Sequence, residues 1–387
     1  MFLLARMEKI QVFPQSCTKA KLVRSACREC LAVCPAHAIE FGERSLRITS
    51  NCTGCRCCVA ACPNEVFSPL AGTEEIALVG RDPGCLYCSK LLPKRIDLSA
   101  PLGNGFVPCI GSLSVHSLLN CLAQAKDPVR VLTADCGQCE MKAAFLNFEK
   151  KREGLERLRL LEIPVSALIV LRGTEQDKKE AAKRYKACQV LQEEKSGLGR
   201  RDFLLSLRRP ASLGKQSRKS GEESRKPGKR LPVWIVALVT FFRHHRGELT
   251  GNEEVPFFHR MEMAESCSGC GVCASLCPTG ALREVHSENR VHLEWTPSHC
   301  SGCRLCEEAC PEGAIGLSSG LPVRNLWEER RFTLKAFHEH HCPECRQEYR
   351  SRSSDTPCPY CQKQKELLED YSRILYGETE KTFLKSD

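Results

Sequence analysis

Three segments of this chain repeat the spacing C-x2-C-x2-C-x3-C-P: Cys52, Cys55, Cys58, Cys62; Cys267, Cys270, Cys273, Cys277; and Cys300, Cys303, Cys306, Cys310. A shorter block runs Cys27, Cys30, Cys34 and then Pro35. Two-residue spacers let one tight loop aim three thiolates at one centre, while the fourth, one turn further on, reaches a neighbouring centre. A segment with this spacing is therefore constrained to fold around iron–sulfur cubes rather than around a hydrocarbon core.

The rest of the composition agrees. Cysteine occurs 28 times in 387 residues while aromatics make up only 6%. A chain of that length exceeds what one core supports, so two or three domains are expected. The start, MFLLARMEKIQVF, has a short apolar run and no small-residue cleavage site, which points away from a secretory signal and towards the reducing cytoplasm, where clustered cysteines bind metal more often than they pair. The longest apolar stretch, Leu231 to Phe242, is too short for one membrane-spanning helix and reads as a buried or interfacial helix.

The formal charge of +10 is concentrated between Lys195 and Arg230, where 12 Lys or Arg stand against three acids. This Ser-, Gly-, Lys- and Arg-rich stretch has the composition of a flexible linker. It suits a solvated tether, or a docking strip for an acidic partner or an anionic membrane surface; nucleic-acid binding is disfavoured because stacking aromatics are nearly absent from it. Its GRRDFLL looks like part of a twin-arginine export signal, but the internal position without a signal helix argues against export.

The fold class expected is α+β and multidomain: two ferredoxin-like modules, each for two 4Fe-4S clusters, flanking a small parallel α/β domain, with a C-terminal zinc ribbon. The boundaries read 1–72 for the first module, 73–194 for the α/β domain, 195–230 for the basic linker, 231–254 for a short helix, 255–325 for the second module and 326–387 for the ribbon and a terminal helix. Within each module, alternating residues around a polar turn (AIEF-GERS-LRIT and LREVH-SENR-VHLEW) predict a β-hairpin. In the middle, IALVG, FVPCI, VRVLTA and VSALIVL read as strands alternating with helices over Ser112 to Ala125, Glu140 to Arg159 and Thr174 to Glu193.

The second module resembles the bacterial two-cluster 4Fe-4S ferredoxins, above all in SCSGCGVCASLCPTGAL. Their crossed ligation puts one cluster on Cys267, Cys270, Cys273 and Cys310 and another on Cys300, Cys303, Cys306 and Cys277. The first module departs from that pattern, with Arg24 where a first cysteine would stand and Cys17 as its substitute through a longer loop. It resembles accessory ferredoxins of respiratory reductases, which have expanded first loops. The sets become Cys17, Cys27, Cys30, Cys62 and Cys52, Cys55, Cys58, Cys34, the first with a three-iron or empty site as its rival. Cys57 falls out of register and reads as a spare thiol.

Five more cysteines, Cys85, Cys88, Cys109, Cys136 and Cys139, fall at expected strand ends of the α/β segment, which would put them on one edge of the sheet. Their order resembles the delta subunits of methyl-viologen-reducing hydrogenases, which implies an additional 2Fe-2S cluster. A zinc site, a redox-active dithiol or inert buried thiols stay open. Cys121 and Cys188 read as packing residues. At the C-terminus, Cys342, Cys345, Cys358 and Cys361 form two C-x2-C knuckles suited to zinc, with a rubredoxin-like iron as rival. His338, His340 and His341 beside them read as exposed polar residues.

The expected cofactors are thus four 4Fe-4S clusters, zinc and an additional 2Fe-2S cluster. No substrate pocket or dinucleotide fingerprint is evident, so the chain reads as a cytoplasmic electron relay for a protein redox partner. A redox-enzyme subunit with thiol or hydrogenase-linked chemistry in the α/β segment, or a redox-sensing assembly factor, are the other readings.

Overall fold

The computed structural model describes residues 10–42, 45–69, 85–92, 105–125, 127–160, 167–196, 229–288, 290–351 and 357–376. The expected strand at 76–80 and nearly all of the basic segment lie outside these residues.

Each cysteine-rich unit is framed by an outer strand pair and an inner hairpin, with strands of only three residues in the N-terminal unit. In the N-terminal unit β1 (Ile10–Val12) pairs antiparallel with β4 (Phe67–Pro69), and β2 (Ile39–Phe41) forms a hairpin with β3 (Leu46–Ile48). The second unit has the same plan: the outer pair is β9 (Glu254–Met263) with β12 (Ile315–Pro322), and the hairpin is β10 (Leu282–Ser287) with β11 (Arg290–Trp295). Strict alternation on β11 buries Val291, Leu293 and Trp295, as a half-covered strand requires. Both hairpins fall where the alternating sequence puts them.

Between the units, β5 (Cys85–Cys88), β6 (Phe106–Val107), β7 (Val129–Thr133) and β8 (Leu168–Arg172) form a parallel sheet in the order β6-β5-β7-β8. Helices Val115–Gln124, Lys142–Leu160 and Glu175–Ser196 complete this segment. Their starts follow from capping: the Ser114 hydroxyl accepts from the Ser117 N–H at 3.1 Å, and Thr174 and Asp177 exchange side-chain and backbone bonds.

The apolar run from Leu231 becomes the helix Val233–His244, with Ile235, Leu238, Val239 and Phe242 buried on one face. No helix among the described residues is long and apolar enough to cross a membrane. Two carboxylate oxygens of Glu65 accept from the N–H groups of Val233 and Trp234 at 2.8 and 3.2 Å, and the Trp234 indole donates to the Pro63 carbonyl at 2.9 Å. The N-terminal unit therefore caps a helix whose buried face joins one continuous core: Leu118, Leu122 and Phe148 from the α/β segment, Phe258 and Leu326 from the second unit. Lys151, on the helix Lys142–Leu160, spans a further seam by donating to the carbonyls of Ala60 at 2.8 Å and Leu113 at 3.3 Å.

Two outcomes follow for denaturant unfolding. Phe242→Ala should cost about 3–5 kcal/mol, since a fully buried ring is removed from that shared core. Lys151→Met should cost about 1–3 kcal/mol by leaving two carbonyls without their donor.

Candidate metal centres

The regular loops share a backbone pattern that the spacing alone does not state. The residue before the second cysteine is left-handed in all three: Gly54 (φ 75°), Gly269 (72°) and Gly302 (67°). So is the residue after it: Arg56 (61°), Gly271 (71°) and Arg304 (58°). Two such turns curl the loop so that its first three thiols face a common point. The third residue after the closing cysteine is also left-handed in all four blocks: His37 (47°), Glu65 (47°), Gly280 (73°) and Gly313 (57°). In two blocks that turn directs the next N–H back onto sulfur, Ala38 N–H to Cys34 Sγ and Ala314 N–H to Cys310 Sγ, both 3.3 Å, whereas the Ala281 N–H donates to the Thr279 hydroxyl at 3.3 Å. The short first block shares this closing turn although its opening differs.

The sulfurs gather in four groups. Cys267, Cys270, Cys273 and Cys310 line one cavity, and Cys34, Cys52, Cys55 and Cys58 line another with Ile10, Ile39 and Ile48. Cys300 and Cys306 lie in the field of Cys303 and Cys277. Cys30 and Cys62 share that of Cys17 and Cys27. In every group at least one thiol comes from a different block than the rest.

Burial is the main influence on these thiols. It pushes Cys30, Cys62, Cys273 and Cys300 up to about 12, and it raises Cys58 and Cys306 as well, neighbouring thiols adding to the effect. Sulfurs that resist ionisation when alone become a fitting donor set when cationic iron sits among them. The N–H groups aimed at sulfur then stabilise the added charge.

In the C-terminal segment, β13 (Phe332–His341) pairs with both β11 and β14 (Glu348–Ser351), so the knuckle hairpin extends the hairpin sheet of the second unit. The four sulfurs of Cys342, Cys345, Cys358 and Cys361 lie within 4.8 Å of one another, with Cys342–Cys361 at 3.9 Å and Cys345–Cys358 at 3.7 Å. A tetrahedral ion with metal–sulfur bonds near 2.3 Å has sulfur–sulfur edges of about 3.8 Å, so this group could hold such an ion. The histidines stand outside it: His338 and His340 stack along β13 and are half-buried rather than exposed, and His341 faces Glu348 at 3.6 Å.

In the α/β segment Cys88, Cys109, Cys136 and Cys139 line one cavity with Lys90, Ala134 and Met141. Cys85 does not join them, which corrects the expectation of five thiols on one edge. The pair Cys85 and Cys88 is itself strand β5, and residues three apart on a strand are about 10 Å apart and face opposite sides. Cys85 instead packs with Tyr87 and Phe106. Cys121 is buried in the main core; Cys188 lies on a helix in a stretch whose side chains are outside the described ones. Cys57 is fully buried and contacts both Cys55 and Cys109. No spacing rule could have flagged it, because its partner Cys109 lies in another segment.

A family model described as a 4Fe-4S dicluster domain matches residues 266–314, which contain all eight cysteines of the second unit. This unit is a 4Fe-4S ferredoxin-type domain. Comparison with curated proteins returns no match. Iron–sulfur binding is therefore a property of the chain, and the loop turns of its dicluster domain are the geometry that binding requires.

A side chain at Gly271 would run into the Glu284 carboxylate and one at Gly302 into the His259 ring, both on a left-handed backbone that only glycine adopts freely. Gly271→Ala and Gly302→Ala should each lower the iron bound per chain, read by metal analysis and by the visible absorption of the anaerobic protein.

Proposed function

We propose that this chain is a multi-cluster ferredoxin-type protein of the reducing cytoplasm, relaying single electrons between a donor and a partner oxidoreductase. The observation that carries this reading is the fourfold repetition of one device, a tight cysteine loop completed by a thiol from another block. The N-terminal unit is a second two-cluster module, giving four 4Fe-4S clusters. They sit on Cys17, Cys27, Cys30 and Cys62; on Cys34, Cys52, Cys55 and Cys58; on Cys267, Cys270, Cys273 and Cys310; and on Cys277, Cys300, Cys303 and Cys306. Zinc occupies the ribbon of Cys342, Cys345, Cys358 and Cys361, where it fixes the fold and stays closed to water.

The cavity of Cys88, Cys109, Cys136 and Cys139 supports an additional 2Fe-2S cluster. Four thiols converge there, and the Gly111 N–H reaches Cys109 Sγ at 3.3 Å. The resemblance of this segment to hydrogenase delta subunits points the same way. Potential in such a protein is tuned by hydrogen bonds to sulfur and by exclusion of water, both of which its backbone supplies.

Metal analysis of anaerobically purified protein should give about 16 irons from four cubes and one zinc, with two further irons for the α/β site. Replacing Cys136 and Cys139 by serine should remove only those two irons and their spectrum. A colourless protein holding zinc alone would overturn the relay, and a second zinc in place of two irons would reassign the α/β site.

A further inference from the structure

In sequence the two cysteine-rich units are separated by the α/β segment and the basic stretch, so nothing in the order of residues says which centres adjoin. The structure assigns them neighbours through two bridging residues, both on the N-terminal unit and each lying two positions beyond a cysteine of its centres.

Asn64 is the first. It follows Cys62 by two positions, and its side chain crosses the seam between units to stand beside the sulfur of Cys303. The Ser301 hydroxyl holds the Asn64 amide oxygen at 2.6 Å in a buried contact, which leaves the amide NH2 to serve sulfur. Two more bonds close the same seam: Glu308 accepts from the Ala26 N–H at 3.3 Å, and the Glu308 carbonyl accepts from Arg24 at 3.3 Å.

Cys57 is the second. Its thiol donates to the Cys55 carbonyl at 3.7 Å, and it packs with Cys55 and Cys109 in one buried cluster. Val33, Ala61, Met141 and Ala144 wall this contact from water. Within each unit the two centres adjoin directly: Cys17, Cys30 and Cys58 share one small core, and the helices Val272–Leu276 and Leu305–Ala309 that carry Cys273 and Cys306 pack against each other. At the far end, Cys270 is the single exposed thiol among the sixteen of the four cubane-type groups.

We propose that the centres form one unbranched file whose spatial order differs from their order in the chain: the α/β site, then Cys34/52/55/58, Cys17/27/30/62, Cys277/300/303/306 and last Cys267/270/273/310. Cys57 and Asn64 are its two crossing points, and the Cys270 edge is where a one-electron donor or acceptor protein meets it. Each step oxidises one centre and reduces the next by a single electron, with no bond made or broken. The file rests on the cluster assignment proposed above, but its bridges are tested separately.

The experiment is an EPR-monitored redox titration of the full-length anaerobic protein, with freeze-quenched reduction to follow electron exchange between centres. Asn64→Leu, a change in the N-terminal unit, should leave iron and zinc content intact. It should nevertheless shift the midpoint potential of one cube in the dicluster domain and abolish the fast phase of exchange between the units. Ser301→Ala should shift the same cube from the other side of the seam, and it decides the matter if Asn64→Leu loses iron. Cys57→Ala should shift the Cys34/52/55/58 cube and abolish the fast phase at the α/β site, leaving the dicluster domain unmoved. Full iron content with dicluster potentials unchanged in both Asn64→Leu and Ser301→Ala would overturn the file. So would a Cys57→Ala effect confined to the dicluster domain. Iron short of the expected content in the unmutated protein would instead reject the cluster assignment.

Discussion

The bond from a backbone N–H to a buried sulfur is the interaction on which the cysteine units depend. A thiolate taken out of water needs either a cation or a donor beside it, and after Cys34 and Cys310 the left-handed residue three places on supplies the donor by turning the next amide inward. The two kinds of turn explain why non-glycine residues hold backbone angles that cost energy elsewhere: His37 and Glu65 after closing cysteines, Arg56 and Arg304 inside the loops that aim the thiols. The N-terminal unit, whose strands have only three residues, keeps a defined shape by gathering Cys17, Cys30 and Cys58 into its small core alongside Ile10, Ile39 and Phe67.

The same residues that shape the loops also join the units. Glu65 is one of the left-handed residues, and its carboxylate caps the helix Val233–His244. Asn64 next to it reaches the dicluster domain, and Lys151 ties the Cys57 loop to the α/β segment. The expected picture of two electron-carrying halves on a flexible tether is thus incomplete, because the halves meet directly through buried polar contacts. Even the end of the basic segment is held: Lys229 donates to the Ala274 carbonyl, and Arg230 covers the Phe13 ring at 4.7 Å.

The C-terminal knuckles belong mechanically to the dicluster domain. Pairing of β13 with β11 lays Phe337 against Gly269, and Arg350 on β14 donates to the Gly269 carbonyl at 3.0 Å while pairing with Glu284. A metal that rigidifies the knuckles would therefore also steady the loop carrying Cys267 and Cys270. Within the segment read from sequence as a ribbon and terminal helix, β13 and β14 are the outer half of one four-stranded sheet.

Sequence by itself determined the thiol spacing, the two hairpins, three of the four parallel strands, the three helices of the α/β segment, and the knuckle pairs. These are local features: a two-residue spacer, an alternation or a cap acts over a few residues and leaves its mark there. The fourth strand was missed because C-L-Y-C reads as a metal knuckle when taken alone, and only pairing with β6 and β7 stretches it out and separates Cys85 from Cys88. Tertiary structure alone decided which centres adjoin, what Cys57 and Asn64 touch, and that one core runs through the α/β segment and the dicluster domain. Contacts between residues as far apart as Asn64 and Ser301 depend on how whole surfaces fit, and no short-range pattern records that fit.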